Sequence, residues 1–131
     1  MKIYKISDVK SLEFFKFFLE QNPVEGSLKI RAYTASEAMP VKNLDIKVSK
    51  VIDDKIVVFY EGKTNESGII ENIKLPAPRI SFNDEEEPKS TNYSVTASYM
   101  GKDYYKYVIS IYENVLVIQN INIVLGENSG Y

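Results

Sequence analysis

Leu44-Asp45-Ile46-Lys47-Val48-Ser49 sets an apolar residue at every second position with a polar one between. A period of two is the mark of a strand with one face buried and the other in water. Upstream the same pattern recurs, with Leu28, Ile30 and Ala32 alternating with Lys29, Arg31 and Tyr33. Downstream, residues 55–61 are apolar on both faces, which predicts a central strand, and further β segments follow at 69–75, 93–99, 104–112 and 115–125. Asp53-Asp54, Thr64-Asn65-Glu66-Ser67-Gly68, Gly101-Lys102 and Glu113-Asn114 supply the reversals between them. Seven strands with no helical pattern interleaved predict an all-β, seven-stranded antiparallel β-sandwich spanning residues 27–126.

Residues 1–26 read differently, as a short extended start and one N-terminal helix. Ser7 or Asp8 can cap a helix that runs over 9–21, and Asn22-Pro23 ends it, because a residue before proline is pushed out of the helical region. Four of the chain's six Phe fall here, at Phe14, Phe15, Phe17 and Phe18. Wound at 100° per residue they spread over more than one face, and an ordinary surface helix has only one apolar face. Either the helix is wholly buried, or one face packs on its own domain and the other on a neighbouring chain. The second reading makes these four Phe the partner-binding residues and residues 1–26 a docking segment. Residues 127–131 are read as a C-terminal tail.

The long connection between the fourth and fifth strands carries Pro76, Pro78, Pro88 and the run Asp84-Glu85-Glu86-Glu87. Prolines keep it out of a sheet and the charges keep it solvated. The acidic run has oxygen ligands for a cation but lacks the glycines with which calcium loops turn sharply, so a solvated loop is expected.

Composition narrows the chemistry. Without His, Cys or Trp in 131 residues, disulfides, Cys nucleophiles, Ser-His-Asp triads and the usual zinc sites are excluded. No pair of carboxylates sits in a context for general acid–base work and there is no glycine-rich phosphate loop, so no enzyme, cofactor or metal is expected. Sixteen basic against eighteen acidic residues leave no nucleic-acid footprint, and only two of the sixteen are Arg. No apolar run reaches the length of a membrane span. The N-terminus has Lys2 and Lys5, but Asp8, Lys10, Glu13 and Lys16 break up any signal-peptide core. The chain is therefore expected to be made in the cytoplasm without a signal peptide. The abundance of Lys, Ile, Asn and Tyr fits an AT-rich genome.

Several of these segments together resemble a carboxypeptidase-regulatory-like, transthyretin-like domain. Tyr33-Thr34-Ala35, Ala38-Met39-Pro40-Val41 and Leu44 to Val48 are similar to that family's first two strands. Thr64-Asn65-Glu66-Ser67-Gly68 is similar to its TDESG turn, and Ile73-Lys74-Leu75-Pro76-Ala77-Pro78 to its LPAP segment. Tyr93 to Ala97, Gly101 and Val117 to Ile123 follow in the family's order. The wording is nearest to accessory domains of clostridial spore cortex-lytic and other peptidoglycan-associated proteins. The resemblance implies a transthyretin-like or immunoglobulin-like sandwich and a non-catalytic role in binding, scaffolding or adhesion.

Two functions of different class follow. The first is a structural subunit that docks through Phe14, Phe15, Phe17 and Phe18 into a virion, tail or spore layer, with a protein partner or self-assembly. The second is a glycan- or peptidoglycan-binding module that uses Tyr104, Tyr112, Lys102 and Lys106 on the Tyr-rich hairpin, since Tyr and Lys can make a sugar-stacking surface. A Lys–Asn isopeptide bond, from Lys29 to Asn120 or Asn122 with Glu113 as the acid, is also available by position. Lys29 alternates with Leu28 and Ile30, which predicts that it points to solvent.

Overall fold

The computed structural model describes residues 1–34, 39–80 and 89–124, the side chains of Asp103 and Tyr104 excepted. In chain order the elements are β1 (Ile3–Lys5), α1 (Ile6–Val9), α2 (Glu13–Gln21), β2 (Val24–Thr34), β3 (Asp45–Ile52), β4 (Lys55–Lys63), β5 (Ile69–Ala77), β6 (Thr91–Tyr99), β7 (Lys102–Ile111) and β8 (Leu116–Ile123). The strands form two sheets, one of order β1-β4-β3-β6-β7 and one of order β5-β2-β8.

The expected all-β sandwich stands, with each of the seven anticipated strands in place and β4 inside its sheet. Two details differ. An eighth strand, β1, adds to β4 in parallel through Ile3↔Ile56, Tyr4↔Val57 and Lys5↔Val58. The sandwich is also not wholly antiparallel, because β2 and β8 run parallel from Ser27↔Leu116 to Thr34↔Ile123. Alternation fixes which side chains face inward; it carries no information on the direction of the neighbouring strand.

Leu28, Ile30 and Ala32 of β2 and Ile46 and Val48 of β3 all point into one core, joined by Ile73, Leu75, Val95, Ala97, Ile109, Ile111, Ile121 and Ile123. Burying each such side chain contributes about 1.5–3 kcal/mol. Turn chemistry sets the registers. Asp53 and Asp54 both adopt left-handed φ, at 50° and 61°, as a two-residue hairpin requires. In the turn before β5, the Asn65 side chain accepts from Ser67 N at 2.9 Å and Ile69 N at 3.0 Å. Gly68 follows with φ +73°, and a side chain there would strike the Ala32 carbonyl. Buried Thr64 ties this turn to the neighbouring loop, donating to Val41 O at 2.6 Å and accepting from Leu44 N at 3.0 Å.

The single helix expected over 9–21 is instead a short turn, α1, and a nine-residue helix, α2, with Leu12 extended between them. On one continuous helix Val9 and Phe18 would lie about 180° apart. The break at residues 10–12 lets both reach the same core. Asp8 caps the turn by accepting from Lys5 N at 2.9 Å. Asn22 ends α2 as anticipated, and its side chain also donates to Phe18 O at 2.9 Å and accepts a hydrogen bond from Thr91 at the start of β6.

Candidate functional site

The helix was the first candidate. Five strands face three, and α2 packs against β3 and β4 of the wide sheet. Phe15 stacks on Phe18 with ring centroids 5.7 Å apart, and both meet Phe59 of β4 at 5.9 and 5.8 Å. Phe59 in turn meets Tyr93 of β6 edge-on at 5.1 Å. Phe14 is half-buried beneath the Lys55 ammonium, 4.6 Å from its ring. Phe15 and Phe18 are thus buried in the protein's own core and are not presented to a partner. Phe17 alone of the four is well exposed, at 59%, with Leu12 and Leu19 exposed on other faces. The sequence shows too many Phe for one helix face; it does not show that a break in the helix and a gap between unequal sheets would take most of them.

The Tyr-rich hairpin divides as alternation predicts. Tyr105 and Tyr107 lie on the inner face with their rings stacked at 6.2 Å, while Lys106 and Val108 are exposed on the outer face. Burial and the neighbouring Tyr105 and Tyr33 hydroxyls push the Tyr107 phenol above its ordinary pKa. Lys102 is exposed at the turn, Tyr112 is half-buried, and the side chain of Tyr104 lies outside the described residues. Lys106 lies within β7 and Tyr112 just beyond its end, six residues on, about 20 Å at the rise of a strand. They do not converge on one sugar ring.

Lys29 does face outward, where it pairs with Glu71 at 3.2 Å. Glu113 instead accepts from Ile80 N at 2.9 Å, pinning the start of the long connection. Asp84, Glu85, Glu86 and Glu87 lie outside the described residues, as does the tail 127–131. Among the described residues no three carboxylates gather in one place, and no helix is long and apolar enough to cross a membrane.

An open trough of about 670 Å³ lies on the outer face of the five-stranded sheet. Ile3, Ile56 and Val51 make one apolar end, opposite one another across β1, β4 and β3. Ser94, Thr96 and Ser98 of β6 make the polar floor. Its charges are largely matched internally: Asp45 bonds Lys63 at 2.7 Å and Lys47 sits opposite Glu61. No described side chain lining it is aromatic.

The four sheet edges differ more sharply than the faces. β1 has three residues and includes Lys5. β5 carries Glu71, Lys74 and Pro76 and is bulged at left-handed Asn72. β7 carries Lys102, Asp103 and Lys106 and has a register shift opposite Ala97 and Ser98. Each holds devices that blunt an edge against another chain. β8 holds none of these. It is eight residues long with no charge, proline or register break, and among the described residues its only ladder partner is β2. The uncharged run extends in the sequence from Val115 to Leu125. On its outer face Leu116 and Ile118 are 55% and 47% exposed. The absence of charge is legible in the sequence; that this strand, of the seven anticipated, ends a sheet is not.

Compared with known proteins, the chain matches no protein-family model and no curated protein.

Proposed function

We propose that the protein is a non-catalytic structural subunit that joins other protein chains within a larger bacterial or phage assembly, such as a virion, a tail or a spore layer. The observation that supports this best is the β8 edge, uncharged and with no second ladder partner among the described residues, beside its exposed Leu116 and Ile118. An edge strand presents a row of backbone donors and acceptors ready to pair, and a long uncharged one is ordinarily covered by another chain. In this reading docking moves from the helix to β8. Phe15 and Phe18 anchor the helix in the core, and Phe17 is left as a subsidiary contact.

The test compares wild-type protein with a Leu116→Glu, Ile118→Glu variant in the cell that makes it. Both changes fall on exposed positions and leave the core intact, so the variant is expected to fold. It is expected to disappear from the large complexes with which the wild type co-sediments. Undiminished co-sedimentation of the variant contradicts the proposal. So does retention of the wild type on purified peptidoglycan that is lost on Lys106→Ala and Tyr112→Ala, the behaviour of a wall-binding module.

A further inference from the structure

We infer that residues 1–9, which here fold back on their own chain, form an arm that two copies of the protein exchange, each arm taking in its neighbour the place it holds here. This goes beyond the reading of β8 and does not depend on it. The arm is held at two places. Among the described residues β1 pairs with β4 alone, in parallel and through three residues, with one further bond from Ile56 N to Lys2 O at 3.1 Å. Val9 is fully buried in the core, and Tyr4 and Ile6 pack against that core. Between the arm and α2 lie Lys10, Ser11 and Leu12, all three exposed.

The linker folds against its own local preference. Residues 6–21 contain no Gly or Pro. A helix-start device stands at the first turn, where Asp8 accepts from Lys5 N at 2.9 Å. None stands at the second. Leu12 occupies the N-cap of α2 without a side-chain cap, and Leu is among the poorest residues for that position. Locally, one helix from Ile6 to Gln21, about 24 Å long, is favoured over two. The break is imposed by the core, which takes both Val9 and Phe18. Such a conflict between local and tertiary demands is relieved when the arm leaves. Straightening the helix carries Val9 to the side away from Phe18 and lifts β1 off β4. It vacates an apolar pocket and the edge of a strand that is apolar on both faces. The segment that fits both, contact for contact, is the same arm of a second copy. Two copies about a two-fold axis exchange arms reciprocally and leave neither site empty. The arm's contacts are the same in both forms, so straightened helices are set against the cost of bringing two chains together. Rising concentration favours the pair.

A disulfide trap on the full chain tests this, since the chain has no cysteine of its own. Ile3 and Ile56 are register partners on β1 and β4, and neighbouring strands lie about 4.8 Å apart, within reach of a disulfide. An Ile3→Cys, Ile56→Cys variant is refolded at low and at high concentration, oxidised, and run on a denaturing gel without reductant. A closed chain locks within itself and runs at 15.0 kDa; exchanged arms lock two chains together and run at twice that mass. The doubled band is expected to grow with concentration and to be missing from each single-cysteine variant. The linker should tune it in opposite directions. Leu12→Asp gives α2 a cap and should lower the doubled fraction by about fivefold per linker, the equivalent of a cap worth about 1 kcal/mol. Ser11→Ala strengthens the continuous helix and should raise that fraction. Both positions are exposed, and circular dichroism checks that each variant is folded. A band that stays at the single-chain mass at every concentration overturns the inference. So does a doubled band that Leu12→Asp leaves unchanged. Adding Leu116→Glu and Ile118→Glu should leave the trap as it was, so this inference and the reading of β8 fail separately.

Discussion

Tyr93 links three parts of the molecule with one side chain. Its ring meets Phe59 beneath the helix, its hydroxyl donates to Pro76 O at 2.5 Å, and the Lys50 ammonium lies 5.7 Å over its face. Burial pushes the phenol well above its ordinary pKa and pushes Lys50 below its own. The sign for Tyr93 follows from linkage. Above about pH 10 the unfolded phenol ionises while the folded one keeps its proton, so Tyr93 contributes stability at lower pH that is lost as pH rises past that point. Tyr107, also raised, adds to the same fall. Tyr93→Phe should therefore lower stability by about 1 kcal/mol at neutral pH through the lost hydrogen bond. It should also flatten the alkaline decline, because Lys50 is present in both proteins and the phenol in only one. Urea midpoints measured between about pH 8 and pH 11 check both parts. Met100 shows the opposite kind of residue, a non-glycine at left-handed φ 52° on the exposed hairpin tip beside Gly101. The turn there was legible from Gly101; that Met100 shares its conformation was not, because Met is not a residue that favours it.

At the scale of elements, α2 substitutes for missing strands. Val9, Phe15 and Phe18 belong to the same core as the strands, so the helix is a part of the sandwich. Replacing Phe15 or Phe18 by Ala should cost about 3–5 kcal/mol, as truncation of buried aromatics does. Phe17→Ser should change stability by less than about 1 kcal/mol, since its side chain is mostly in water. Thermal or urea unfolding of the three variants checks the contrast, and equal losses would contradict the assignment of faces. The strands were legible because a period of two survives in almost every one, and the turns because Asp53-Asp54, Asn65 with Gly68, and Gly101 have few conformations to choose from. The helix break was not, since nothing in residues 10–12 forbids a helix. It arises only because Val9 and Phe18 must both face the core, a demand made by the tertiary structure. Edge or interior status was equally hidden: β8 reads as an ordinary apolar strand until the sheet order places it at an edge.

At the scale of the whole molecule, three sheet edges carry charge, proline, bulges or extreme shortness, and one carries none of them. The broad trough, with its charges largely matched across β3 and β4, asks less of a partner than this edge does. The account's central claim is that β8 is where the protein joins another chain. Amide hydrogen exchange of the free protein and of the protein recovered with its large complexes tests it most directly, with β5, the other edge of the same sheet, as internal reference. The account predicts that amides of β8 are more protected in the complex than in the free protein, while those of residues 69–77 do not change. Equal protection of β8 in the two states, with the increase falling on α2 or on the trough, would contradict it.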